Sequence, residues 1–283
     1  MLLKFIDNKI RKAFSDSALQ YEALAGLQRE IGRELLKRVV DKEDCQSILD
    51  VGMGTGRLTN QLSLFFPEAK VVGMDFARGM IEVARQKYST LRIVQADAAQ
   101  LPFKRESFDI IISNLVYQWV DDLRRTFALN FDALKPDGAF CFTMFGERTL
   151  EELFTALDEA LAVPQEKKNR IKRLPSLAQI QSALSAAGFA DVALESEMIK
   201  VHFENMLALL KWLKEIGANA HHYDVYVGKD LLRRAERYYQ QNFSDRWGVS
   251  ASFQVIWVNA VKKAEQRQRT LSVGELSERL GYE

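Results

Sequence analysis

Cysteine, histidine and proline are scarce in this chain, with two, three and five copies among 283 residues. Cys45 and Cys141 fall in or beside apolar runs and follow no CxxC spacing, so a disulfide framework is excluded. They read as small buried hydrophobes of a reducing compartment. His202, His221 and His222 lie far along the chain from both cysteines, which leaves no zinc-type ligand set, and no metal is expected. Net charge is also nearly absent, at +1 from 39 basic and 38 acidic residues. No global field draws in nucleic acid or an anionic membrane, and any electrostatic recognition must be local. No apolar run approaches the roughly 20 residues of a membrane span. The opening "MLLKFIDNKIRK" carries Asp7 and lacks a signal-like apolar core and cleavage site, so a cytoplasmic protein is expected. Nothing in the composition speaks to assembly, and a monomer is the default.

What is present is a chain with 47% apolar residues, enough to bury roughly three quarters of its unfolded surface. In "QYEALAGLQREIGRELLKRVV", Leu24, Leu27, Ile31, Leu35 and Val39 recur at spacings of three and four, which predicts one amphipathic helix. The period then changes. Short apolar runs appear at 47–51, 70–74, 91–94, 109–113 and 139–144, with helical patterns between several of them. Continuous apolar strands are strands buried on both faces, and their alternation with helices implies parallel crossovers. A doubly wound α/β sheet follows. Helical patterns at 150–161, 176–187, 206–216 and 230–241 and β-rich stretches at 191–201 and 250–261 come next. The polar tail from Lys262 reads as a terminal helix or a frayed end.

The first strand, ending in Asp50, runs straight into "VGMGTGR". Ligands of open α/β sheets bind at such carboxyl edges. Glycine there lets the backbone touch a cofactor and tolerates positive φ. The dinucleotide fingerprint G-x-G-x-x-G needs a glycine where Arg57 stands, whereas this loop reads D-x-G-x-G-x-G through Gly52, Gly54 and Gly56, with Thr55 between the last two. The spacing favours S-adenosylmethionine over NAD. Asp75 closes the second apolar run, where a carboxylate accepts hydrogen bonds from ribose hydroxyls. Asp97, after the third run, is positioned to accept from an adenine amino group, with the Ala98 amide beside it. The thioether of Met80 is expected against the adenine face, and Phe76 is a further cofactor candidate. Asp75 as a helix cap and Asp97 as a turn residue are the plainer alternatives.

Over residues 45–145 the chain resembles the class I S-adenosylmethionine-dependent methyltransferases, through "ILDVGMGTG", "VVGMD", "ADAAQLPF", "FDIIISN" and "LKPDGAF". From about Lys9 to Val261 it is similar to the BioC-type malonyl-acyl carrier protein O-methyltransferases of biotin synthesis, through "AFSDSALQYEALAGLQREIGRELL", "SNLVYQWVDDL", "FTMFGERTLEEL", "LPSLAQIQSALSAAGF" and "LKEIGA". Met53 stands where that family usually carries cysteine, a change that a loop working through its backbone should tolerate. The resemblance implies a Rossmann-like fold with a mostly parallel seven-stranded sheet. It implies a helical N-terminal lid over 1–45, a cofactor-binding core over 46–146, a helical cap with the penultimate strand over 147–248, a final strand over 249–262 and a tail over 263–283. The implied reaction esterifies the free carboxyl of a malonyl thioester, carried by acyl carrier protein or coenzyme A, and leaves S-adenosylhomocysteine. Other small carboxylates, a protein acceptor, or a non-catalytic cofactor-binding scaffold are the rival readings.

A carboxylate acceptor is already ionised at pH 7, so no general base is expected. Positioning and exclusion of water carry the rate instead. Acceptor-side candidates are Asn114, Tyr117, Gln118 and Trp119, which follow the fourth strand, together with Tyr21, which matches the family pattern, as do Gln28 and Arg29. Asn114 is also a cofactor candidate. A cation is expected to hold the acceptor carboxylate, with Arg173 the leading candidate and Lys211 and Lys214 behind it. Arg173 ends "EKKNRIKR", and Lys167, Lys168, Arg170, Lys172 and Arg173 read either as a solvated loop or as a docking patch for an acidic carrier protein. Part of the cap is expected to border the pantetheine arm.

Overall fold

The structure is a computed structural model and describes residues 2–39, 45–161, 174–218 and 228–264. Its strands are β1 (Ser47–Val51), β2 (Lys70–Asp75), β3 (Arg92–Gln95), β4 (Phe108–Asn114), β5 (Leu134–Phe145), β6 (Asp191–Phe203), the two-residue β7 (Ser244–Asp245) and β8 (Gly248–Val261). They form one sheet in the order β3-β2-β1-β4-β5-β8-β6, with β7 paired to β8 off that path. Pairing is parallel from β3 through β5 and antiparallel where β8 meets β5 and β6. The seven-stranded expectation therefore holds for the main path, and the hairpin of β7 adds one short strand. Strand order reverses between β1 and β4, and the carboxyl ends there open a crevice.

The apolar runs of β1, β2, β4 and β5 are buried on both faces because alternate residues feed two cores, whereas β3, expected to be buried likewise, is a half-exposed strand at the sheet edge. Leu49, Val51, Ile111, Phe140 and Phe142 belong to one cluster, while Ile48, Ile110, Ile112, Ala139 and Cys141 belong to the other. The first core is closed by α5 (Leu123–Ala133) and α7 (Leu177–Ala187), and the second by α2 (Gly26–Lys37) and α3 (Arg57–Phe65). Both cysteines are buried and free. On β6 the outer side chains are largely exposed and charged, including Glu195, Glu197 and Lys200, which guards the sheet edge.

The single N-terminal helix expected from the stripe is two helices. α1 (Leu2–Leu24) and α2 meet at a corner where Ala25 adopts φ −82° and ψ 41°. Gly26 is a poor helix residue, and the Leu24 carbonyl accepts a 3.0 Å hydrogen bond from the Trp212 indole of α8 (Met206–Glu215). The apolar period survives the corner: Ile31, Leu35 and Val39 are buried on the sheet, and Leu24 and Leu27 are half-buried. α1 crosses the start of α4 (Arg78–Lys87) so closely that a Cβ at Gly79 would sit 2.3 Å from the Ser15 carbonyl oxygen.

A third core joins α6 (Glu151–Ala160), α8, α9 (Lys229–Phe243) and the start of β8. Leu153 and Leu157 are buried in it. α8 backs the α1–α2 corner from outside, through Trp212 and through Gly217, whose vicinity holds Phe14 and Ser17.

Candidate active site

Two cavities lie at the carboxyl edge of the sheet, and the glycine loop separates them. The larger holds about 460 Å³ and the smaller, a recess under the α1–α2 corner, about 80 Å³. Tyr21, Gly52, Gly54 and Asn114 line both.

The loop takes its shape from backbone conformations that side chains oppose. Gly52, Gly54 and Gly56 adopt φ of 72°, 56° and 82°. A Cβ on Gly52 would also come within 2.2 Å of Val116 Cγ2. Gly56 has a different duty. It lines neither cavity and serves α4, since its missing Cβ admits Leu91, Ala84 and Tyr88 at 3.0 to 3.3 Å.

Asp75, at the tip of β2, is buried and accepts from the Gly54 amide at 2.9 Å and the Ala77 amide at 2.8 Å. Burial raises its carboxyl to about 6, against the pull of those amides. It lines the large cavity with Phe76, Met80, Asp97 and Ala98. Asp97 Oδ1 also accepts from the Ala99 amide at 2.9 Å, so the turn role and the cavity position coexist. Asp50, at the tip of β1, lines the recess and accepts from the Thr59 hydroxyl at 2.6 Å. Burial, with the charge of Asp75 added, lifts its carboxyl to about 7. Thr55 lines the recess and donates to Glu22 at 2.9 Å, and Glu22 pairs with Lys87, which ties α1 to the loop and to α4. Tyr21 is kept protonated by burial and by the Asp75 charge.

The acceptor-side candidates separate. At the end of β4, Leu115 takes a left-handed φ of 57°, held by its amide donating to the Thr143 carbonyl at 3.0 Å. That bend leaves Asn114, Val116 and Trp119 on the large cavity and sends Tyr117 the other way. Tyr117 is fully buried among Phe127, Phe140 and Phe142 and donates to Asn130 at 3.0 Å. It is a core residue and lines neither cavity. Gln118 also lines neither; its Nε2 donates to the Leu115 carbonyl at 2.7 Å. Trp119 lines the large cavity and meets Phe14 edge to face at 5.3 Å. Asn114 is anchored at both ends of its amide, donating to the Gln28 carbonyl at 2.9 Å and accepting from Thr143 at 2.8 Å.

Arg173, Lys167, Lys168, Arg170 and Lys172 lie outside the described residues, as do His221 and His222. Lys211 and Lys214 are exposed on α8 and line neither cavity. The cation that lines the large cavity is Arg125 of α5, which the sequence did not single out. Ile10 and Phe14 of α1 were missed as walls of the same cavity. The apolar face of α1 was the available signal. Among the described residues, none from 147–248 lines either cavity, whereas Ile10, Phe14, Tyr21, Gln28 and Arg29 of the N-terminal helices do.

Residues 49–142 match a family model described as a methyltransferase domain. The chain is 36% identical to the malonyl-acyl carrier protein O-methyltransferase of Xylella fastidiosa, with 74% of this chain and 71% of that protein covered. The enzyme of the same name from Legionella pneumophila is 30% identical over 93% of both chains. This chain belongs to the malonyl-acyl carrier protein O-methyltransferase family.

Solved structures agree on the fold of this family member. The YcgJ protein of Bacillus subtilis superposes with a TM-score of 0.58 at 19% identity, covering 82% of this chain and 99% of that one. A Haemonchus contortus phosphoethanolamine N-methyltransferase, solved in complex with S-adenosyl-L-methionine, gives 0.56 at 20% identity, covering 88% of this chain and 57% of that one. The chain has the class I methyltransferase fold. No helix among the described residues is long and apolar enough to cross a membrane.

Proposed function

We propose that the chain is a cytoplasmic S-adenosylmethionine-dependent O-methyltransferase that esterifies the free carboxyl of a malonyl thioester at an early step of biotin synthesis, with acyl carrier protein as the carrier. The observation that carries this reading is the pair of cavities on either side of the glycine loop, in a member of this enzyme family. The residues present fit the cofactor. Bare backbone at Gly52 and Gly54 meets a buried carboxylate at Asp75, and the large cavity widens past Phe76 and Met80 toward Asp97 and Ala98, as an adenosine requires. Bound there, S-adenosylmethionine supplies an electrophilic methyl group on a sulfonium, and S-adenosylhomocysteine is left.

The chain's own residues then have three tasks. Asp75, Asp97 and the Ala98 amide hold the nucleoside, while Gly52, Gly54 and Asn114 line both cavities. Trp119, Phe14 and Ile10 wall the large cavity against water. Arg125 offers the acceptor carboxylate a counter-charge beside those walls. No side chain is asked to remove a proton, because the acceptor is already an anion at pH 7.

Incubation with methyl-labelled S-adenosylmethionine and malonyl-acyl carrier protein should yield a base-labile methyl ester on the carrier, and the gene should rescue a biotin-requiring methyltransferase mutant. Label on another small carboxylate or on a protein side chain would overturn the assignment of acceptor. Cofactor binding without any transfer would indicate a scaffold. Arg125→Ala should raise KM for the malonyl acceptor by about tenfold and leave S-adenosylhomocysteine affinity within twofold of wild type, as expected for one charge-assisted contact.

A further inference from the structure

The third core touches neither cavity and yet seats the helices that line them. Among the described residues of α6, α8, α9 and the start of β8, none lines a cavity. Leu27 of α2, however, is packed against this core as well as against the second. Gly217, just past α8, stands so close to α1 that a Cβ on it would meet Ser17 Oγ at 3.0 Å and Phe14 Cδ1 at 3.1 Å, and its φ of 77° already disfavours a side chain. Trp212 makes the third contact. Its ring meets Phe203 at 5.5 Å and Phe253 at 5.9 Å, as a core indole does, but its N–H leaves that core and donates to the Leu24 carbonyl at 3.0 Å, at the end of α1. The last carbonyls of a helix have no partner within it, so a donor from outside fixes the direction in which the chain leaves.

The place of that bond gives it reach. Ala25 follows at once with φ −82° and ψ 41°, and no side chain caps the start of α2. Tyr21, which lines both cavities, stands about one helical turn before the corner, and Gln28 and Arg29, which line the recess, stand about one turn after it. Ile10 and Phe14, walls of the large cavity, are carried on α1 itself. Resting on the methyltransferase reading above, we propose that Trp212 is a positioning residue for the cofactor, and that the third core acts on the site through its indole, which sets the angle between α1 and α2. Without the bond the corner exchanges between a seated and an unseated arrangement. Only the seated one binds, so the apparent affinity falls with the seated fraction. Linkage makes the effect reciprocal, since a ligand that needs the seated corner also holds the indole in place.

Calorimetric titration of the full chain with S-adenosylhomocysteine, well below the melting temperature, tests this. Trp212→Phe keeps a ring against Phe203 and Phe253 and removes the donor, and it should weaken the ligand by about three- to tenfold. Tyr239→Phe is the matched control, because it removes one buried hydrogen bond of the same core, from its phenol to the Ser250 carbonyl at 2.8 Å. It should lower the melting temperature by a comparable amount and leave the affinity within about twofold of wild type. A measurement on wild type needs no variant: hydrogen exchange at the Trp212 indole, followed by NMR, should slow several-fold at saturating S-adenosylhomocysteine, whereas exchange at Trp247, 61% exposed, should not. Unchanged affinity in Trp212→Phe, an equal loss in Tyr239→Phe, or indole exchange indifferent to the ligand overturns the proposal alone. Failure of wild type to bind S-adenosylhomocysteine overturns the cofactor reading beneath it.

Discussion

The large cavity and the recess share four residues and are built on opposite plans. The large cavity is made at strand tips, where Asp75, Asp97 and the glycines present carboxylates and bare peptide groups whose positions the sheet dictates. The recess sets side chains of two helices against the glycine loop and the start of α3, so Gln28 and Arg29 reach it only because α1 and α2 dock as they do. A site anchored in sheet geometry gains precision without help from distant sequence, whereas one borrowed from a helix corner depends on every contact that seats the corner.

The sharpest way to break the comparison is to obstruct the loop that both cavities share. Gly52→Val forces a branched side chain into φ 72° and into Val116, which stand 2.2 Å from where its Cβ begins. S-adenosylhomocysteine affinity should fall more than about 100-fold, and the melting temperature should drop as well, because left-handed backbone alone costs a non-glycine residue roughly 1–2 kcal/mol. Calorimetry and thermal unfolding would read the two effects separately. Retained binding would mean that the ligand does not approach this loop.

A smaller perturbation removes one strand-tip carboxylate. Asp75→Ala deletes the acceptor for the Gly54 and Ala77 amides together with the group offered to ribose hydroxyls. Hydrogen bonds to charged groups are each worth about 1.5–3 kcal/mol, so affinity for both S-adenosylhomocysteine and methylthioadenosine should fall by roughly 10- to 100-fold. An equal loss on both ligands marks the nucleoside, which 5′-methylthioadenosine shares with S-adenosylhomocysteine while lacking its amino-acid end.

Acid titration sharpens the contrast further. Burial raises Asp50 to about 7 and Asp75 to about 6, above the ordinary carboxylate value that each regains on unfolding. Between about pH 4 and 7 these two carboxyls bind more protons in the folded, ligand-free protein than in the unfolded chain, so their contribution to stability falls as pH rises through that window, while Glu22, Asp109 and Asp245, held below the ordinary carboxylate range, act in the opposite sense at its acid end. A ligand bringing a cation to Asp50 and hydroxyl donors to Asp75 favours the ionised forms. Binding should then expel protons, and affinity should rise several-fold from pH 5.5 to 7.5. Titrations at pH 6.5 in buffers of different ionisation enthalpy would count the protons, and Asp50→Asn should remove its share.

Legibility in the sequence follows the same division. The strands could be read because residues at β1, β2, β4 and β5 alternate between two apolar cores, which writes an uninterrupted apolar run into the chain. The strand tips then fixed the positions of Asp50, Asp75 and Asp97. The corner at Ala25 could not be read the same way, because the apolar period runs through it unbroken and its cause is an indole 188 residues away. Nothing in the sequence sets Arg125 apart from Arg124 beside it.

Tyr117 is the most instructive misreading, and it supports the smallest prediction. A tyrosine three residues past a strand tip, between Asn114 and Trp119, reads as a wall of the acceptor site. The left-handed turn at Leu115 reverses it into the aromatic core, and burial drives its phenol upward, away from any role in proton transfer. Tyr117→Phe keeps the rings packed on Phe127 and Phe142 and removes only the hydroxyl that Asn130 accepts from. Urea unfolding should register a loss of about 1 kcal/mol, the ordinary worth of one buried hydrogen bond. The KM for the malonyl acceptor should change by less than twofold, whereas a tyrosine that touched the acceptor would move KM and leave stability almost untouched.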